Sequence, residues 1–214
     1  MNAPATSPTA ATIPGVPFPL APSAGARWTI EGDPARVTVL AGAHTDIFVD
    51  PGGASQVNAE TLLNAATLLG TPPDGDFRLS AHVRVAFAST FDAGVLLLWF
   101  DEGHWAKLCL EYSPEGEPMV VSVVNRGVAD DANSFVVPGE SIWLRVSRVD
   151  SVYAYHASED GERWRLVRAF VLDVPGASPR VGFEAQSPTG KGCAVSFDQI
   201  GFDRVRLGDL RDGT

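Results

Sequence analysis

From Asp76 to Phe202 the chain repeats one pattern: a short run of alternating apolar and polar residues, then a turn built from Gly, Asp, Pro or Ser. A period of two marks a strand with one buried face. Connections this short join antiparallel neighbours, because a parallel pair needs a long crossover. Phe77–Phe87 shows the pattern most clearly, with Phe77, Leu79, Ala81, Val83, Val85 and Phe87 on one side and Arg78, Ser80, His82 and Arg84 on the other. Ser141–Arg148 sets Ile142, Leu144 and Val146 against Trp143, Arg145 and Ser147. Met119–Arg126, Val152–Ser158, Arg163–Leu172, Arg180–Gln186 and Cys193–Phe202 complete the meander, and Asp203–Leu207 extends it. Gly127–Asn133, with Asp130 and Asp131, reads as a loop. Upstream, Arg27–Glu31, Arg36–Ala41 and Thr45–Val49 read as strands. Asn58–Leu69 has helical propensity, but its all-strand neighbourhood favours extended structure. Roughly eleven to thirteen strands separated by Gly/Pro turns predict an all-β protein, two antiparallel sheets packed face to face in a jelly roll.

The hairpin Phe91–Tyr112 stands apart. Its first strand, Gly94–Phe100, is apolar throughout, so its phase is not readable. Its second, Trp105–Tyr112, alternates, with Lys107, Cys109 and Glu111 on one side and Leu108, Leu110 and Tyr112 on the other. The turn between them carries Asp101, Glu102 and His104.

The 214 residues suit one domain, and 45% apolar content supplies a core without staples. A formal net charge of −10 and the lack of a basic run argue against a nucleic-acid partner. No apolar run is long enough to span a membrane. Residues 1–26, rich in Pro, Ala, Thr and Ser, read as a disordered arm in which Val16–Leu20 lies across the domain where ordered; the polar stretch 208–214 reads as a tail. The arm lacks the features of a secretory signal. Cys109 and Cys193 lie in separate strands without a CxxC motif, which suits reduced thiols and a cytoplasmic setting.

The segments FDAGVLLLWFDEGHWAKLCLEY, MVVSVVNRGVADDANSF, WLRVSRVDSVYAYHASEDGERW and VGFEAQSPTGKGCAVSFDQI resemble the concanavalin A-like domains sometimes labelled "regulation of enolase" proteins, a family carried as a domain of unknown function. The resemblance runs from about Arg27 to the C-terminus. It implies the two-sheet jelly roll of lectins and laminarinase-type glycosidases, with ligands on the concave face. It brings no established activity and no transferable catalytic residue.

Strand phase then offers a ligand floor of Trp99, Lys107, Glu111 and Arg145, with Asp101, His104, Trp105 and Asn133 as its rim. Aromatic rings pack on the apolar face of a sugar while paired charged groups bind hydroxyls, so carbohydrate or a similar small polar ligand is the expected partner. The bland alternative is a solvated face. An enzyme on this scaffold would act on glycosides with Glu111 and either Asp101 or His104 as catalytic groups, although no glycosidase, zincin or nucleophile-elbow motif is present. A regulatory protein-interaction module is a third reading. Asp130, Asp131 and Asn133 place oxygens at spacings compatible with calcium, yet no complete ligand set is legible, so no cofactor or metal site is assigned. Ser158–Gly161 followed by Trp164 resembles an Asp-box hairpin and is expected to be structural.

Overall fold

The computed structural model describes residues 10–52 and 59–214. With strands numbered in chain order, one seven-stranded sheet runs β1 (Ala21–Pro22), β6 (Ala66–Gly70), β15 (Arg180–Gln186), β8 (Ala93–Asp101), β9 (His104–Tyr112), β10 (Pro118–Arg126), β11 (Ala129–Val136). The second, also seven-stranded, runs β14 (Arg165–Val171), β13 (Val152–Ser158), β12 (Ser141–Val149), β7 (Phe77–Ala86), β16 (Ala194–Asp203), β3 (Arg36–Leu40), β2 (Trp28–Glu31). A short pair, β4 (Ile47–Phe48) with β5 (Leu62–Leu63), stands apart. All pairings are antiparallel and the described residues contain no helix, so the expected concanavalin A-like jelly-roll sandwich is the fold.

The inward residues of both sheets form the main core. Leu79, Ala81, Val83 and Val85 of β7 meet Leu96 and Leu98 of β8, Leu108 and Leu110 of β9, Phe183 of β15 and Phe197 of β16. The first sheet is buried on its other face as well. There Val95, Leu97, Trp105, Cys109, Val121 and Val123 pack with Ile47, Ala65 and Leu69, and with Phe48 and Val49 of the segment around β4. Burial on both faces explains why β8 reads as one apolar run: no position along Val95–Leu98 faces water.

Three readings change. Residues 10–26 are not a disordered arm. Ile13, Val16, Phe18 and Leu20 are buried in the main core, Ala11 and Leu20 form a β-bridge, and β1 pairs with β6. Apolar residues alternating with Pro and Ala cover the sheet edge, where composition alone suggests solvation. Residues 1–9 lie outside the described part. Gly127–Asn133 is not a loop, since residues 129–136 form the edge strand β11, which tolerates exposed Asp and Asn on its free side. Residues 208–214 do not trail away. Gly213 O accepts a hydrogen bond from Arg145 Nη2 at 2.6 Å, and Leu210 O lies 2.9 Å from His156 Nε2, so the tail docks on the outer face of the second sheet.

Cys109 and Cys193 are buried free thiols on opposite sides of the first sheet, one in each apolar cluster. The hairpin at Ser158–Gly161 is structural. Ser158 Oγ accepts the Gly161 N–H at 2.9 Å, and the Asp160 carboxylate caps the N–H groups of Glu162 and Arg163 at 2.9 and 2.8 Å.

Because Leu20 is a core residue, Leu20→Ala should lower the unfolding free energy by about 2–4 kcal/mol, measured by urea denaturation. A change under ~0.5 kcal/mol would mean that the segment is peripheral.

Candidate functional site

The outer face of the first sheet holds a row of polar side chains inside its second apolar layer. Lys107 lies opposite Leu97 of β8 and Val123 of β10, with Asp131 of β11 next in the same row. Glu111 lies opposite Ala93 and Met119, two pleat repeats further along the same face, past Cys109. Glu184 of β15 is opposite Val95, which is opposite Cys109. The period of two brings Lys107, Cys109 and Glu111 to this face, and antiparallel registry adds Asp131, Glu184 and Gln186.

Lys107 is 1% exposed. Its ammonium donates to Gln186 Oε1 at 2.8 Å and to Asp46 Oδ1 at 3.0 Å, and it lies 5.8 Å from the Trp105 ring centroid. Burial disfavours its charge, but the surrounding carboxyl groups, Asp46 and Glu184 foremost, outweigh that and hold it protonated well above the usual lysine range. The carboxyls respond the other way. Burial pushes Glu111 up to about 8, against the pull of Lys107. Glu184, wholly buried with both carboxyl oxygens unbonded, is also pushed up to about 8 by burial. Asp131 is raised by burial too. Near neutral pH the face thus presents one ammonium beside protonated Glu111 and Glu184, which can donate as well as accept.

A cavity of about 410 Å³ opens over this row. Asp46, Glu60, Lys107, Glu111, Asp131, Gln186 and Thr189 supply its polar lining, and Phe48, Leu62, Phe91 and Val123 much of its apolar one. Phe91 is 37% exposed and has φ of +67°, an unusual backbone for an aromatic residue. Its N–H donates to Tyr112 O at 2.7 Å and its carbonyl accepts from Gln186 Nε2 at 3.2 Å. Gln186 therefore ties the Phe91 backbone to the Lys107 ammonium.

Lys107 and Glu111 sit where strand phase predicts. Arg145 does not join them. Its outward phase is as read, but β12 belongs to the other sheet, so it lies on the opposite face of the sandwich beneath the C-terminal segment, 4.1 Å from the Trp164 ring centroid. Trp105 is no rim residue: it is fully buried and donates Nε1–H to Glu102 O at 3.2 Å. Trp99 packs half-buried against the second apolar cluster, outside the cavity lining, and exposed Asn133 also lies outside it.

Asp101 and His104 close the far end of the hairpin. His104 Nδ1 and the Gly103 N–H each lie 2.8 Å from Asp101 Oδ1, and the His104 hydrogen bond holds that exposed carboxyl below its ordinary range. Seven residues of strand, roughly 24 Å, separate His104 from Glu111, so neither Asp101 nor His104 can act with it on one bond. Among the described residues no three His, Cys, Asp or Glu side chains are placed to hold a metal ion, and Asp130 is instead paired to Arg168 at 2.7 Å.

Asp46, Glu184 and Phe91 were missed, while the stretch Gln186–Gly190, readable as a loop framing a groove or as a plain connection, supplies Gln186 and Thr189 to the lining. Glu184 and Gln186 do leave a signal, as polar residues in phase with each other between Val181, Phe183 and Ala185. Asp46 leaves none, because its role depends on how the segment before β4 folds over the sheet.

The protein family described as "Protein of unknown function (DUF1349)" matches residues 24–205. The chain is 31% identical over 134 residues to "Regulation of enolase protein 1" of Saccharomyces cerevisiae, a match covering 61% of this chain and 66% of that protein, just under two thirds of its length. A crystal structure of a functionally unknown protein from Saccharomyces cerevisiae superposes with a TM-score of 0.69 at 24% identity, over 83% of this chain and 95% of that one. A xylan beta-1,4-xylosidase from Bacillus halodurans gives 0.62 at 11% identity, over 78% of this chain but 32% of the enzyme. That likeness concerns the sandwich fold alone.

The raised carboxyls make stability fall with pH. A group whose folded pKa lies near 8 and whose unfolded pKa is that of an ordinary Glu binds more protons when folded between those values. Its stabilising contribution is complete below the unfolded value and lost as pH rises through about 8. Glu184→Gln removes one such group. The wild-type Tm should fall between about pH 5 and pH 9 by on the order of 5–10 °C more than that of the variant, and parallel profiles in a calorimetric series would contradict this.

Proposed function

The chain belongs to the family of proteins of unknown function DUF1349, and we propose that this member binds a carbohydrate or a similarly polyhydroxylated small molecule in the cavity floored by Lys107, Glu111 and Asp131. The observation that carries this reading is the composition of that one cavity. A strained, partly exposed aromatic, Phe91, stands at a wall whose floor offers an ammonium, a Glu111 carboxyl that keeps its proton to about pH 8, and the Asp131 carboxyl. A sugar ring presents an apolar face suited to the aromatic and vicinal hydroxyls that both donate and accept, which such carboxyls match in either direction. The cavity volume falls within the range of small-molecule sites. Lys107 is already bonded to Asp46 and Gln186, which locks the floor before a ligand arrives and reduces the ordering cost of binding.

Glu111 supports a second reading. A carboxyl that keeps its proton to about pH 8 is suited to act as a general acid, and Asp131 is a carboxyl lining the same cavity. On that reading the protein hydrolyses a glycoside, and Glu111→Gln abolishes turnover while retaining binding.

Isothermal titration against a panel of mono- and oligosaccharides tests the binding reading. One of them should bind saturably, and Asp131→Asn and Phe91→Ala should each weaken it at least about tenfold. His104→Ala, at the far end of the hairpin, should leave affinity unchanged. Absence of saturable binding across the panel, or wild-type affinity in both cavity variants, would sink the proposal.

A further inference from the structure

A second cavity, of about 480 Å³, lies on the opposite side of the sandwich, over the outer face of the second sheet. Three arginines reach it from three parts of the chain: Arg27 just before β2, Arg36 on β3 and Arg84 on β7. The registers explain the convergence. Thr29, Thr38, Ser196 and Arg84 face one another in succession across β2, β3, β16 and β7. Beside them Leu40, Ala194 and Ala86 form a parallel apolar row, and Leu40 is 73% exposed. The main core holds Val37, Val39, Val83, Val85, Val195 and Phe197, so strand alternation drives Arg36, Thr38, Arg84 and Ser196 outward together.

These guanidinium groups are unspent. Among the described residues, Arg78, Arg163, Arg165, Arg168 and Arg206 pair with carboxylates. Arg27, Arg36 and Arg84 are among the arginines with no described Asp or Glu oxygen within 4.0 Å, and they are the ones that line a common groove. Two nearby acids do not change this. Glu31 faces Arg36 in register without forming an ion pair, and Asp198 is bonded to His82 at 3.0 Å. Arg36 Nη2 donates to Ser196 Oγ at 3.2 Å, which steadies one guanidinium over the groove. In a chain with 26 acidic and 16 basic residues, three adjacent arginines without carboxylates are a local reversal of charge. No basic run announces it, because the three come from separate strands.

We propose that this groove binds the phosphate group of a small phosphorylated organic molecule. Planar guanidinium forks match phosphate oxygens in bidentate fashion, and the Thr29 and Thr38 hydroxyls add donors at the same level. The row Leu40–Ala194–Ala86 gives the organic part of such a ligand an apolar surface. The site is independent of the cavity on the first sheet and stands or falls separately from it.

The experiment titrates phenyl phosphate and inorganic phosphate into the full chain by calorimetry at low ionic strength. Phenyl phosphate should bind saturably and more tightly than inorganic phosphate, because only the ester covers the apolar row. Arg36→Gln and Arg84→Gln, both at exposed positions, should each weaken it about tenfold or more. Arg36→Lys, which keeps charge but loses the fork, should recover only part of the affinity. Equal affinity for the two probes, no saturable binding, or wild-type affinity in both Gln variants overturns the proposal. Retention on heparin without saturable phenyl phosphate binding also overturns it, assigning the face to a polyanion instead.

Discussion

Lys107 carries a charge where water is excluded, and the outer half of the first sheet is built around that fact. A buried ammonium is tolerable only if it is hydrogen-bonded and opposite charge is close. Asp46 and Gln186 accept two of its three N–H bonds, and Asp46 forms the ion pair. The consequences spread outward. Asp46 fixes the segment that enters β4, whose Ile47 and Phe48 close the second apolar layer. Gln186 holds the Phe91 carbonyl and with it the strained turn at the cavity mouth. The buried carboxyls that remain, Glu111 and Glu184, share a largely dry environment with the Lys107 ammonium, and the two cannot both be ionised cheaply.

The two outer faces of the sandwich therefore have opposite chemistry. The first sheet is covered, and its polar groups work in low dielectric beneath an apolar layer. The second sheet leaves its outer face open over β2, β3, β16 and β7, where Arg27, Arg36 and Arg84 meet solvent, while the C-terminal segment covers it over β12 and β13 through Arg145 and His156. That segment leaves Arg145 Nε and His156 Nδ1 without partners, and burial lowers the pKa of both side chains, Arg145 to about 10 and His156 to about 4.

The fold was largely legible because alternation is a local signal. The inward phase of β7, β9 and β12 followed from their sequences, and so did the shared face of Lys107, Cys109 and Glu111. The site was legible only in part. Arg145 had the right phase and the wrong sheet, since periodicity says which side of its own sheet a residue faces and nothing about which sheet that is. Trp99 and Trp105 fitted a sugar platform by type, yet they serve as packing for the second layer. The N-terminal segment was misjudged by composition, because its few apolar residues are placed to cover the one stretch of sheet edge left open beside β6.

What the amino-acid order determined by itself is the all-β architecture, the turns, and which side chains of each strand travel together, since these depend on contacts between near neighbours. What only the tertiary structure decided is which strands became neighbours. That choice buried Lys107 beside Asp46, 61 residues away, and beside Gln186, 79 residues away. It sent Arg145 to the far face and gathered Arg27, Arg36 and Arg84 over one groove. The physical reason is that electrostatics and desolvation depend on distance through space, and distance along a chain of antiparallel strands does not report it.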